Sequence, residues 1–579
     1  MSAGTHPSAV ALVAGGENWP RIFEAVNSLL GSGKRVLIVT ETDNAATPLG
    51  AFVIPLSKAF DPWFADDLTL ETVNHLAAGT GVELTVVEDG ASMVGVQARS
   101  IRVGIYGSGG APFNHASIVA RCGFPWRFIS APEVLAGHLQ DIDVFIMPGG
   151  GTRSVMGELE PLGAEGCQAI ARFVQHGGLY VGCCAGSYAC VVQSATFLQR
   201  CPVQTHLQLL NARPAPSDTA KGRFGFFSPG VGIVRVANEQ PTHPVMFGMP
   251  AEFPIVHYNG PVFEKVDQST VANASEFVGL ATFSGWTDQF TPSERFQGEV
   301  VPQEATYLST SIAARRHAIV AGEYGLGRVV GFGSHPEFGF DPAMLEWGRP
   351  ARMLVNAILW CSWAPASIDC QRHVPSVSRH AIPPGHSLDA VIAASDALRE
   401  VIGLLASRSI EPTPPWLRPP YALSTFGRPP AEIWSHAIAE LPKLTDEVQT
   451  IATMLRQRIR DRGDDLTMWE RDALDRVDHL TLDHQPPEWN QDHGYQGAVA
   501  LIQVATTKCL TAIANWGIDL PTPTGAYDHI DTNPYHLVAA SYLGALGQVV
   551  GAHQLLRAMV EEWSRAERLP GGQRSEMSA

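Results

Sequence analysis

The chain has 579 residues, nine of them cysteine, with 45% hydrophobic residues, 17% charged ones and a formal net charge of −17 at pH 7. That length exceeds one ordinary domain, so two or three are expected, and the apolar content suffices for a large buried core. The negative balance excludes an electrostatic footprint for nucleic acid and attraction to an anionic membrane surface.

No run reaches the roughly 18 apolar residues of a membrane span. The opening MSAGTHPSAVALVAGG lacks the basic region of a secretory signal. The cysteines are odd in number and follow no framework spacing, which fits a reducing, cytoplasmic location.

In residues 8–90, AVALVAGG, KRVLIVTETD, GAFVIP and ELTVVED read as buried strands, with PRIFEAVNSLLGSG as a helix between the first two. This alternation predicts a parallel sheet. Within it GSGK (31–34) fails as a phosphate loop, because Ser28 and Arg35 stand where Gly and Ser or Thr are required. Glu41 after the second strand is a weak nucleotide-binding signal, since no G-x-G-x-x-G accompanies it.

A second α/β pattern starts at IRVGIYG (101–107) and runs through WRFIS, DVFIMPGGG and GLYVGCC. The helix PLGAEGCQAIARFVQHGG carries Leu162, Ile170, Phe173 and Val174 on its apolar face and stops at Gly177–Gly178. Residues 200–325 hold short β-like runs and turns, and GRVVGFGSHPEFG with a following helix closes the pattern.

From about residue 370 the composition shifts. RHVPSVSRHAIPPGH reads as a linker and SLDAVIAASDALREVIGLLASR as a helix opened by Ser387. A stretch of seven prolines over 411–430 is non-helical, and three or four amphipathic helices follow, the last over 532–563. The Asp-His dipeptides at 478–479, 483–484, 492–493 and 528–529 lack the i, i+4 histidine pair of a helical metal site, so solvated histidines are the reading and no metal is assigned.

The segment LYVGCCAGSY has the form Gly-x-nucleophile-x-Gly, a strand running into a sharp turn and then a helix. Its glycine register selects Cys184 as the nucleophile and turns Cys183 into the core. In GSHPEFG, His335 and Glu337 stand just after an apolar strand, where a base and its orienting carboxylate at i and i+2 of an extended segment face one side. Gly149, Gly150 and Gly151 follow another strand, and their amides with that of Ala185 are candidates for an oxyanion hole. All three segments lie at carboxyl ends of strands, where parallel α/β sheets bind ligands. In HYNGPVF, His257, Tyr258 and Asn259 either contact substrate or form a structural turn.

Taken together, IMPGGG, GGLYVGCCAGSY, HYNGPVF and EYGLGRVVGFGSHPE resemble the class I glutamine amidotransferase-like superfamily. Within it they are most similar to the domain at the N-terminus of eukaryotic biotin–protein ligases and in stand-alone bacterial proteins. The resemblance covers roughly residues 100–365. It implies a flavodoxin-like sheet, a Cys184–His335–Glu337 triad, an oxyanion site at the Gly149–Gly151 turn, and no cofactor. Glutamine-hydrolysing members usually carry Gln four residues past the nucleophile. Tyr188 stands here, as in the biotin–ligase-like branch, and is a candidate substrate contact. No ATP-dependent synthetase, ligase or biotin-binding domain is recognisable.

The expected architecture is therefore α/β: a small α/β domain (1–98), a flavodoxin-like amidotransferase-like core (99–368), a Pro-rich linker with one helix (369–430), a helical domain (431–566) and a disordered tail (567–579). The expected function is a cysteine amidotransferase or amidohydrolase acting on a small amide or acyl substrate. The alternative is a silent scaffold whose helical region recruits a protein partner or a second copy. A peptidase or deglycase-like hydrolase of the same superfamily is a third reading, which His-Pro-Glu disfavours.

Overall fold

Runs of four or five apolar residues, buried on both faces, build the interior strands of this protein. The computed structural model describes residues 9–14, 19–57, 69–71, 73–74, 82–87, 93–110, 112–149, 154–215, 231–258, 260–266, 271–287, 302–337, 349–363, 386–406, 430–462, 498–515, 545, 549–553, 556–557 and 560.

β1 (Ala9–Leu12), β2 (Leu37–Thr42), β3 (Phe52–Pro55), β4 (Thr85–Val87) and β5 (Met93–Gln97) form one sheet, ordered β4-β1-β3-β2-β5. Every pairing in it is antiparallel, which corrects the parallel sheet expected there. Helix Trp19–Gly31 does carry β1 over to β2, and the two run parallel to each other, but β3 lies between them. The short link over 43–51 returns the chain at once, and a return that short gives an antiparallel neighbour. Phe23 of the helix meets Phe52 of β3 edge-on, ring centroids 5.3 Å apart.

The second sheet takes in β6 (Val103–Tyr106), β7 (Trp126–Ile129), β8 (Val144–Met147), β9 (Leu179–Cys183), β10 (Ala212–Pro214), β11 (Val231–Asn238), β12 (Glu252–Tyr258), β13 (Phe263–Lys265), β14 (Val278–Trp286), β15 (His317–Tyr324) and β16 (Gly327–Phe332). One half is parallel, in the order β16-β9-β8-β6-β7. Numbered along the chain this is 2-1-3-4-5, the flavodoxin-like winding. The other half, β15, β14, β11 and β12, continues it antiparallel.

Helix Gly163–Gln175 feeds β9, burying Leu162, Ile170 and Val174 at the sheet, and Gly177 at φ +108° ends it. Helix Ala351–Trp360 is buried along its whole length. Among the described residues no helix is long and apolar enough to cross a membrane.

Helix His386–Ala406, expected as part of the linker, packs against helices Pro430–Arg462 and Ala498–Asn515. It buries Leu388, Val391, Leu398 and Leu405 with Leu441, Val448 and Leu501. Pro430 caps the proline-rich stretch as the first helical residue, where its missing N–H costs nothing. The four Asp-His dipeptides, the tail and most of 532–563 fall outside the described residues.

Candidate active site

Cys184 follows the last residue of β9 and begins helix Ala185–Ala189 with φ 49° and ψ −110°, a backbone conformation strained for a residue with a side chain. The glycines of the motif permit it. A Cβ on Gly186 would sit 2.2 Å from the Met147 carbonyl oxygen, and one on Gly182 would sit 2.5 Å from that of Gly186. Hydrogen bonds then lock the turn. Cys184 N–H donates to Phe332 O at 2.9 Å, Ser187 Oγ donates to Cys184 O and Phe332 O at 2.7 and 3.0 Å, and Tyr180 Oη donates to Gly186 O at 2.6 Å.

The parallel register pairs Gly182 with both Met147 and Gly331, so the chain leaves β8, β9 and β16 at one level. Cys184 is 7% exposed. Gly149 lies so close that a Cβ there would stand 2.5 Å from Cys184 Cβ and 3.3 Å from His335 Cε1. Gly186, Ser187 and Tyr188 spend their N–H groups on Pro148 O and Cys184 O, while Ala185 N–H is at the open end of the helix.

His335 and Glu337 come from the segment after β16. Their side chains meet, Nδ1 to Oε1, at 2.7 Å, both nearly fully buried. The segment is not extended as expected. His335 makes a bridge to Val256, donating its N–H to Val256 O at 2.8 Å, and Pro336–Glu337 enter a turn that folds the carboxylate back. Burial opposes the charged ring, but the charges of Glu337 and Cys184 and hydrogen bonds to both raise the His335 pKa well above the usual value. Burial raises Glu337, and the charges of His335 and His115 more than offset this and leave its carboxyl below the ordinary range.

The remaining expected residues are distributed unevenly. Gly150, Gly151 and Asn259 lie outside the described residues, as does the side chain of Tyr258. Tyr188 is half-buried against the apolar cluster around Tyr180 and Leu207, and its carbonyl accepts from Gln193 and Gln204. His257 is wholly buried, with Nδ1 3.2 Å from Ser334 Oγ and its ring edge-on to Phe283 at 5.3 Å. Burial and the neighbouring His335 charge push its pKa down to about 3, so it is a neutral ring under His335.

Two buried groups here have no local sequence signature. His115, on helix Phe113–Arg121 after β6, lies with Cys183 Sγ and a Glu337 oxygen in a group whose donor atoms are all within 4.8 Å of one another. The donor set is one that divalent metals accept, and burial together with the charge of Glu337 pushes the Cys183 thiol well up. Cys183 thereby does more than fill the core, since it borders the carboxylate that orients His335. The other is Glu158, 1% exposed, on helix Ser154–Leu159. Burial and the Cys184 charge raise its pKa well above the ordinary value. His115 comes to Glu337 from far along the chain, and Glu158, nine residues past Gly149, stands in no motif that would single it out.

Residues 138–205, which span the turn after β8 and the whole cysteine elbow, match the family model described as "Biotin-protein ligase, N terminal". This match agrees with the resemblance drawn from the motifs to the class I glutamine amidotransferase-like superfamily and its biotin–protein ligase N-terminal-like branch. No curated protein matches the chain in sequence. Similar solved structures include a protein from Thermoplasma acidophilum described as a GMP synthase component, 12% identical over 46% of this chain and 95% of that one, TM-score 0.27. PurLQS from Thermotoga maritima is 15% identical over 45% of this chain and 98% of its own, TM-score 0.29. A glutamine amidotransferase from Thermotoga maritima is 13% identical over 45% and 82%, TM-score 0.25.

Proposed function

We propose that this chain is a cysteine-nucleophile amidotransferase or amidohydrolase acting on a small amide or acyl substrate through Cys184, His335 and Glu337. One observation carries the reading: a cysteine in a strained strand-to-helix turn, beside a histidine whose far nitrogen is held at 2.7 Å by a buried carboxylate. A scaffold has no use for that strain.

In this reading the Cys184 thiolate adds to the substrate carbonyl carbon, and the N–H groups near Gly149 and Ala185 take the oxyanion, each worth ~3 kcal/mol by analogy with measured oxyanion holes. As the C–N bond breaks, His335 passes its proton to the leaving amine, and Glu337 holds the ring in register. Water, activated by the now neutral His335, attacks the thioester and releases the acid and the free thiol. An amide and water thus give an acid and an amine, or ammonia. His257, neutral beneath His335, keeps a second positive charge away from the imidazolium.

Alkylation of wild type, Cys184→Ala and Cys183→Ala with a general thiol reagent and an electrophilic glutamine analogue tests this. Fast labelling lost only in Cys184→Ala is expected. Equal labelling of both variants, or none at Cys184 in wild type, returns the scaffold reading. Ammonia release from glutamine tells whether the chain uses that substrate despite Tyr188.

A further inference from the structure

The helical region keeps one polar group inside its apolar packing. Helix Pro430–Arg462 buries Leu444, Val448 and Leu455 in one cluster with Val549, Ala552 and Leu556, and Ile451 and Val560 lie partly buried at its margin. His553, only 2% exposed, stands in the same layer, its Nε2 2.9 Å from Glu447 Oε2. A carboxylate oxygen only accepts, so Nε2 carries the hydrogen of that bond. Nδ1, on the other side of the ring, is buried and has no hydrogen-bond partner among the described residues. A polar atom left in that state destabilises a fold unless something pairs with it.

Beside this ring lies a cavity of about 360 Å³, lined by Glu447, Ile451 and Met454 of the helix and by His553, Arg557 and Val560. Its volume falls in the range of small-molecule sites. Met454 and Val560 each stand seven residues past the Glu447–His553 pair, roughly 10 Å along a helix, so the cavity has a polar end and an apolar end. Arg557, one turn past His553, adds a guanidinium whose charge reaches the ring. Lys443 also bears on the ring but pairs with Glu440.

An ammonium ligand would meet the Arg557 charge with Glu447 already engaged. A bare hydrocarbon would leave Arg557 and Nδ1 desolvated and unpaired. A doubly charged phosphate would lie against the Glu447 carboxylate. A single carboxylate suits both polar groups. It matches the guanidinium fork, and it pairs with Nδ1 whether the shared proton sits on the ring or on the acid.

We propose that this cavity binds a medium-chain monocarboxylate, with its carboxylate between Arg557 and His553 Nδ1 and its hydrocarbon tail along Ile451, Met454 and Val560. The site lies outside residues 138–205, which match the family model, and does not depend on the chemistry assigned to Cys184.

Titration calorimetry of the full chain with octanoate, octanol and octylammonium tests this. Octanoate is expected to bind at least about tenfold more tightly than the other two, the effect of charge-assisted hydrogen bonds. Arg557→Met, at an exposed position, should bring octanoate down to the level of octanol and leave the melting curve in place. Met454→Glu, at the apolar end, should weaken octanoate and octanol alike. Absence of octanoate binding in wild type overturns the proposal, as does equal binding of octanoate and octanol, or an octanoate affinity unchanged in Arg557→Met. A dimer in sedimentation that Met454→Glu separates would put a second copy in the cleft and overturn it as well.

Discussion

The N-terminal sheet and the parallel half of the larger sheet begin from the same material, four-residue apolar strands such as AVAL and VGIY buried on both faces. They end as opposite topologies. In the parallel half each strand from β6 to β9 is followed or preceded by a helix that carries the chain across, so the strand ends collect on one edge and their loops share a crevice. In the N-terminal sheet every neighbouring pair is antiparallel, and strand ends alternate between the two edges. The connections, more than the strands, decide whether a sheet has a functional edge. The smaller sheet is on this view a buttress, and the larger one carries the candidate site.

The strongest way to break that division is to cut the core of the buttress. Phe52→Ala removes a fully buried ring and is expected to cost about 3–5 kcal/mol in denaturant unfolding, with the Cys184 alkylation rate of the folded protein unchanged. A fall in that rate would show that the smaller sheet shapes the site. On the other side, Glu337→Gln should leave the fold in place and slow Cys184 alkylation at pH 7 by about tenfold or more, because His335 loses the charge that keeps it protonated.

The pH dependence of stability sharpens the same contrast, since Glu158, a buried carboxyl with a raised pKa, lies beside the elbow. Glu158 binds its proton more tightly in the folded chain, so its contribution is fully present below about 4.5, its ordinary value, and is lost as pH rises. Glu158→Gln should therefore gain in melting temperature over wild type at pH 7 and gain little at pH 4. The smallest effect is expected at the edge strand β5, where Val94 is 52% exposed. Val94→Lys should change stability by no more than about 0.5 kcal/mol and leave labelling untouched.

What was legible in the sequence was local. Gly182, Cys184 and Gly186 define the elbow within five residues, and His335 and Glu337 are two apart, so spacing alone proposes their grouping. That β6 to β9 run parallel follows from the alternation of strand and helix, whereas the flavodoxin-like order was implied only by the family resemblance. What was illegible depends on long-range placement. Glu158 reaches the crevice because loop 107–110 returns to it, and His115 faces Glu337 from a helix more than two hundred residues away in the chain. His257 stood out as a polar residue in a turn-rich motif. The β12–β16 neighbourhood turned it inward to Ser334, since a bridge at Val256 fixes which way the next side chain points. The antiparallel N-terminal sheet was hidden because buried strands of either kind lack an alternating pattern.

One contact joins the two sheets in a way that matters to anyone who would separate them. Arg352, on the buried helix Ala351–Trp360, donates from Nη1 to the carbonyl of Ala14, while burial and Arg349 push its pKa down to about 10. Asn356 on the same helix donates to Val245 and Phe247 at 3.1 and 2.9 Å. Deleting the first 98 residues would remove that acceptor and bare to water the apolar wall around Arg352, at the helix that follows His335 and Glu337. A trimmed larger sheet would then tend to precipitate through that bared apolar face, for a reason unrelated to its candidate site.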